Sequence, residues 1–160
     1  MGGESGREGL NILFLASCEE HRERACKIVT MGTGKKIVVA EDDSGVRDAF
    51  LLTLTRAGYQ VALYADGEPL MARPFELPDL FIIDRQLSGV DGLDVCQHLK
   101  QSPATVNIPV IITSASPYVA GLASKMGADA FLEKPFGTKQ LVALVTRLLA
   151  DPRNLQRDGG

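Results

Sequence analysis

The feature that most constrains this chain is an alternation. From Lys36 onward, short apolar runs rich in β-branched residues each give way to a stretch with apolar residues at helical spacing. "KIVVA" (36–40) precedes Val46, Phe50, Leu54 and Ala57, and Gly58 then stops the helix. "YQVALY" (59–64) precedes a second, shorter helix in "DGEPLMARPF" (66–75). "DLFIID" (79–84) precedes a stripe of Leu93, Cys96 and Leu99. "IPVIIT" (108–113) precedes "VAGLASKMG" (119–127), closed by Gly127. "DAFLE" (129–133) precedes Leu141, Leu144, Val145 and Leu148, a last helix that ends before Pro152. Runs without polar interruption suit strands buried on both faces, which is the condition of a parallel sheet covered by helices. The expectation is an α/β fold of five strands and five helices, with right-handed crossovers.

The chain has 160 residues, 45% of them hydrophobic and 23% charged, enough for one domain that buries about two-thirds of its unfolded surface. A net charge of −3 carries no basic excess of the kind nucleic-acid binding uses, so direct nucleic-acid contact is not expected. Cys18, Cys26 and Cys96 are odd in number and lack CxxC spacing, which fits reduced thiols in the cytoplasm rather than a disulfide framework. No apolar run approaches the ~18 residues of a membrane span. "LASC" (15–18) looks like a lipoprotein processing box, but Glu4, Arg7 and Glu8 precede it, and that segment is not positively charged.

Residues 1–34 differ from the rest and read as an N-terminal extension, expected to be flexible or weakly ordered. Within it, "NILFLAS" (11–17) can form a strand and "EEHRERACKIV" (19–29) a short helix, with "TMGTGKK" (30–36) as a glycine-rich linker in which Met31 is an alternative start. "GTGKK" is not a phosphate loop: the required earlier glycine is replaced by Val29, and the glycines precede a strand instead of following one. Residues 35–150 form the expected domain, and 151–160 a short tail.

In a parallel α/β sheet, ligands sit beyond the carboxyl ends of the strands. The first strand ends in Glu41, Asp42 and Asp43, the third in Asp84, the fourth in Thr113 and Ser114, and the fifth in Glu133, Lys134 and Pro135. Acids after a strand often cap the next helix, and Asp43 or Ser44 is expected to do so here. Converging carboxylates repel one another, and a hard divalent cation such as Mg²⁺ relieves that repulsion. A lysine and a hydroxyl complete a set suited to a phosphoryl group on a carboxylate, since phosphoryl transfer is mostly positioning and charge neutralisation.

With "KIVVAEDDSGVR", "PDLFIIDRQLSGVDGL", "IPVIITSA" and "GADAFLEKPF" in this order, the chain resembles the receiver domain of two-component response regulators from about Lys35 to Leu149. Thirty residues separate Asp84 from Ser114, as in that family. The resemblance implies a flavodoxin-like (βα)5 three-layer sandwich with a parallel five-stranded sheet of order 2-1-3-4-5. It implies that Asp84 is the phosphoacceptor for a phosphohistidine on a sensor histidine kinase or phosphotransfer protein, or for acetyl phosphate. Mg²⁺ (or Mn²⁺) would be held by Asp42, Asp84 and the backbone carbonyl of Gln86, and by Glu41 through water. Ser114 and Lys134 would contact the phosphoryl group, and Ala115 would leave room for it. Phe131 matches the switch aromatic, and Lys134–Pro135 is expected to be cis. The readout face would be the fourth helix, fifth strand and fifth helix, about Pro117 to Leu149, acting on a protein partner, with homodimerisation left open.

Some residues depart from the family pattern. Ser88 stands where proline is usual, Ser114 replaces the commoner threonine, and the segment from Ser114 to Lys134 is short. The last departure bears on the switch movement and partner surface, not on the phosphorylation site. Two other classes share parts of this pattern. An aspartate-nucleophile phosphatase or phosphotransferase needs a second acid two residues after the nucleophile, where this chain has Gln86. A receiver-like interaction module independent of phosphate is the alternative, and failure to bind Mg²⁺ would favour it. The switch itself catalyses only its own phosphorylation and dephosphorylation. His21 and His98 lack metal-ligand spacing and are expected to be solvated or capping, while Cys96 lies on an apolar stripe and is expected in the core.

Overall fold

A computed structural model describes residues 12–14, 28–30, 34–72 and 75–151. The elements are β1 (Ile12–Phe14), β2 (Ile28–Thr30), β3 (Lys36–Ala40), α1 (Ser44–Arg56), β4 (Gln60–Tyr64), α2 (Glu68–Met71), β5 (Leu80–Asp84), α3 (Gly92–Gln101), β6 (Val110–Ser114), α4 (Val119–Lys125), β7 (Ala130–Glu133) and α5 (Thr138–Leu149). Five strands are parallel, in the order β4-β3-β5-β6-β7, which is 2-1-3-4-5 by position among them. Two short antiparallel strands extend the sheet past β4, with β2 pairing through Val29 and Ala62 and β1 pairing on β2.

The unbroken apolar runs are explained by two separate cores, one on each face. Val38, Ala40, Phe81 and Ile83 pack with Leu70 of α2, Leu93, Cys96 and Leu99 of α3, and Val119 and Ala123 of α4. Ile37, Val39, Leu80 and Ile82 pack on the opposite face with Phe50 and Leu54 of α1 and Leu141 and Val145 of α5. Successive strand side chains alternate between faces, and here both faces are dry, so every position must be apolar. Cys96 is fully buried, as its place on the stripe suggested.

Several boundaries depart from the sequence reading for local reasons. β6 starts at Val110 rather than Ile108, because Ile108 donates its N–H into a turn at Thr105 and Pro109 has no N–H to give a ladder. α2 is a single turn that ends in extended backbone at Ala72, and in the sequence Pro74, two residues on, has no N–H with which to extend a helix. Ile28 and Val29, expected at the end of a helix, lie in β2, between β1 and β4, where β-branched residues suit a pleated strand. The rest of that expected helix, with Cys18, His21 and Cys26, lies outside the described residues, as does the chain after Asp151. Gly58, at φ +98°, turns the chain out of α1 toward β4, a conformation that residues with a Cβ rarely adopt.

Candidate functional site: an acidic pocket at the carboxyl edge of the sheet

The parallel register places the ends of β3, β5, β6 and β7 side by side. Asp84 is the last residue of β5 and pairs with Thr113 of β6, while Ser114 pairs with Glu133 of β7. Glu41 and Asp42 follow β3 directly. Carboxylate oxygens of Glu41, Asp42 and Asp84 lie within 4.8 Å of one another, with Glu41 and Asp84 buried and Asp42 exposed. An all-oxygen donor set of three carboxylates fits a hard divalent cation such as Mg²⁺ and not a soft one.

Lys134, just past β7, supplies the counter-charge. Its Nζ lies 2.8 Å from Glu41 Oε2 and 2.7 Å from Asp84 Oδ1. Burial works against the charge on Lys134, but the hydrogen bonds and charges of Asp84 and Glu41 outweigh it, so its pKa lies above the ordinary lysine value. Burial likewise raises the pKa of Glu41; the hydrogen bonds from Lys134 and the Asp43 backbone oppose the rise without cancelling it. The Lys134–Pro135 peptide is cis.

Three donors hold the Asp84 carboxylate. Oδ1 receives the Lys134 ammonium and the Thr113 hydroxyl, the latter at 3.1 Å, and Oδ2 receives the Gln86 backbone N–H at 2.9 Å. Ser114 Oγ instead accepts the N–H of Ser116 at 3.1 Å. Ala115 is exposed at the start of the loop to α4, and Phe131 is half-buried against the face covered by α3 and α4. Beside the carboxylates an open cleft of about 580 Å³ is lined by Asp42, Arg85, Gln86 and the turn from Leu87 to Asp91. Ser88, in that turn, places its hydroxyl 3.5 Å from Asp42 Oδ2.

Two acids near this edge cap helices. Asp43 caps α1 by accepting the Val46 N–H at 2.9 Å, and Asp91 caps α3 by accepting the Leu93 N–H at 2.8 Å. Two further contributors have no role in the sequence reading. Thr113, named there only as a strand end, is one. Arg47 is the other: its guanidinium donates to the backbone carbonyls of Glu41 at 2.7 Å and Asp42 at 3.0 Å, tying the acidic loop to α1. A signal for it existed, because a cation in the first turn of a helix opposes the helix dipole and calls for a local partner.

A doubly wound parallel sheet with one aspartate, two neighbouring acids and a lysine at its carboxyl edge defines the class of phosphorylation-dependent signalling receivers. The chain belongs to the response regulator receiver domain family, whose model matches residues 37–146. It is 37% identical over 133 residues to the alkaline phosphatase synthesis transcriptional regulatory protein SphR of Synechococcus elongatus, covering 74% of this chain and 50% of that protein. It is 38% identical over 119 residues to the phosphate regulon transcriptional regulatory protein PhoB of Rhizobium meliloti, covering 71% and 52%. The chain thus spans about half the length of these curated relatives. Among solved structures, the receiver domain of the Francisella response regulator 1452 aligns with a TM-score of 0.66 at 28% identity, over 72% of this chain and 97% of that one. The receiver domain of a signal transduction histidine kinase from Syntrophus aciditrophicus aligns with a TM-score of 0.66 at 28% identity, over 74% and 92%. No helix among the described residues is long and apolar enough to cross a membrane.

Proposed function

We propose that this chain is a two-component switch in which Asp84 accepts a phosphoryl group from a phosphohistidine of a sensor histidine kinase or phosphotransfer protein, and that the change is read by a protein partner. The observation that carries the reading is the position of Asp84, buried at a strand end between two acids and clamped by Lys134 and Thr113 beside an open cleft. A buried carboxylate held among like charges, with an open cleft next to it, is the arrangement that a functional site requires.

In the transfer, an oxygen of Asp84 forms a bond to phosphorus as the P–N bond of the donor breaks, and the departing imidazole takes a proton from solvent. Asp42, Asp84, the Gln86 carbonyl and, through water, Glu41 would hold Mg²⁺ (or Mn²⁺), which when bound neutralises charge on the phosphoryl oxygens. Lys134 exchanges its carboxylate contacts for a phosphoryl oxygen, Ser114 leaves the Ser116 amide to hydrogen-bond the new group, and Ala115 leaves room for it. The product carries roughly −1.5 to −2 charges where Asp84 carried one, which favours a different arrangement of the β6–α4 loop and an inward Phe131. The readout surface is α4, β7 and α5. Residues 35–150 are the unit that does this, and the acidic balance of the chain supports a protein partner over nucleic acid.

The test is intact mass after incubation with acetyl phosphate and Mg²⁺. The chain gains one phosphoryl group, and Asp84→Asn or omission of the metal abolishes the gain. A folded chain that gains nothing from several small phosphodonors and forms no beryllofluoride complex would leave the phosphate-independent interaction module as the better reading.

A further inference from the structure

Two hydroxyls end β6, and they are committed differently. Ser114 Oγ is held by its own loop through the Ser116 N–H at 3.1 Å. Thr113, fully buried at 0% exposure, donates its hydroxyl to Asp84 Oδ1 at 3.1 Å. This contact is set by backbone: Asp84 and Thr113 are register partners in the parallel ladder of β5 and β6. A β-branched side chain in a strand has restricted χ1 freedom, so the hydroxyl cannot easily swing away. A packing role alone would be met by valine, which has the same shape and no polar atom to bury.

The donors are also unevenly divided. Oδ1 carries Thr113 and Lys134, whereas Oδ2 carries the Gln86 N–H. Lys134 is shared with Glu41 and exchanges its partner once a phosphoryl group arrives, so it cannot hold the carboxylate throughout. Thr113 has no such second duty.

Building on the phosphoacceptor reading of Asp84, we propose that Thr113 is a positioning residue for phosphoryl transfer. Its hydroxyl fixes rotation of the Asp84 carboxylate and reserves Oδ2 as the oxygen that bonds to phosphorus. In the acyl phosphate, Oδ1 is then the carbonyl oxygen and keeps the Thr113 hydrogen bond.

The experiment compares the full chain with Thr113→Val and Thr113→Ser. It measures the rate of acetyl phosphate labelling by intact mass and the affinity for beryllofluoride with Mg²⁺, with thermal unfolding recorded alongside. Loss of the hydroxyl frees the carboxylate, so T113V is expected to label on the order of tenfold more slowly and to bind beryllofluoride more weakly, as misorientation of a reacting group predicts. T113S keeps the hydroxyl and labels at close to the native rate. Native labelling by T113V overturns the proposal, and so does equal slowing in T113S, which would assign the effect to the methyl group. Should T113V fail to fold, Thr113→Ala answers the same question against T113S without added bulk. If the unaltered chain is not labelled and binds no beryllofluoride, the phosphoacceptor reading itself fails and this proposal falls with it; labelling of the unaltered chain with native T113V separates the two failures.

Discussion

Lys134 carries the charge balance of the pocket. Glu41 is 1% exposed, and its buried carboxylate and that of Asp84 share this one ammonium. Removing one partner of a buried ion pair costs about 3–5 kcal/mol, and since Lys134 keeps some solvent contact, Lys134→Met is expected to cost about 2–3 kcal/mol near pH 8. The sign of the pH effect follows from Glu41, whose pKa is already raised by burial. A carboxyl group with a raised folded pKa contributes stability below its unfolded value, and that contribution is lost as pH rises through the folded one. Without the ammonium the pKa of Glu41 rises further, so the deficit of the variant grows with pH across the carboxylate range and shrinks as pH falls toward the ordinary glutamate value. Urea unfolding of both proteins at about pH 5 and about pH 8 measures this; a deficit that widens at the lower pH would contradict it. Cys96 gives a second residue-scale expectation. Burial raises its thiol from 9.0 to about 11, outweighing the nearby Lys100 charge, so peptide mapping should find it unmodified by a thiolate-selective reagent at about pH 8 until the chain is unfolded. Rapid native modification would contradict its burial. The acids, Lys134 and Cys96 were legible in the sequence because a charge closing an apolar run and a cysteine on an apolar stripe are both visible patterns. Thr113 was visible as a strand end but its bond to Asp84 was not, because that partner depends on the β5–β6 register, which no single strand pattern encodes.

Among the elements, α3 docks against the end of β5 so closely that its first residue has to be glycine. A Cβ on Gly92 would lie 2.1 Å from the Asp84 carbonyl oxygen and 2.9 Å from Arg85 Cα, both backbone atoms that cannot yield as a flexible side chain can. The Gly92 N–H meanwhile donates to the Arg85 carbonyl at 2.8 Å, so the approach is also a bond. Gly92→Ala is expected to cost about 3 kcal/mol or more by forcing backbone shifts, and to slow Asp84 labelling because the displaced strand end carries the phosphoacceptor. Gly121, exposed within α4, has nothing within 4 Å of an added Cβ, so Gly121→Ala should instead gain about 1 kcal/mol from helix propensity. Paired urea titrations check both, and shifts of the same sign would undo the argument. The existence of these helices was readable from apolar spacing; their exact ends were not. Pro74 shortened α2 and Pro109 delayed β6, and in each case the determinant is which backbone groups find partners, which periodicity does not record.

At the level of the whole molecule, the alternation of runs established five strands and two dry faces, but strand order came from the family resemblance, since alternation alone is compatible with several orders. The two antiparallel edge strands were the least legible part: three-residue strands carry too short a pattern, and Ile28 and Val29 also fit the end of a helix. Their position has a consequence. β2 pairs with β4, whereas the acidic pocket is built from the ends of β3, β5, β6 and β7, and among the described side chains both cores run from Ile37 onward. Deleting residues 1–33 is therefore expected to leave a folded domain that acetyl phosphate labels at Asp84 within about twofold of the full chain's rate, because no group at the site is removed and positioning is unchanged. The deletion does uncover the outer edge of β4, a row of unpaired N–H and C=O groups that can template pairing with another chain. The shortened chain should accordingly self-associate more than the full one as concentration rises, read by size-exclusion chromatography with light scattering. Loss of labelling in a folded, monomeric shortened chain would instead give the N-terminal strands a part in the site, and equal self-association of the two forms would mean that β2 does not protect the β4 edge.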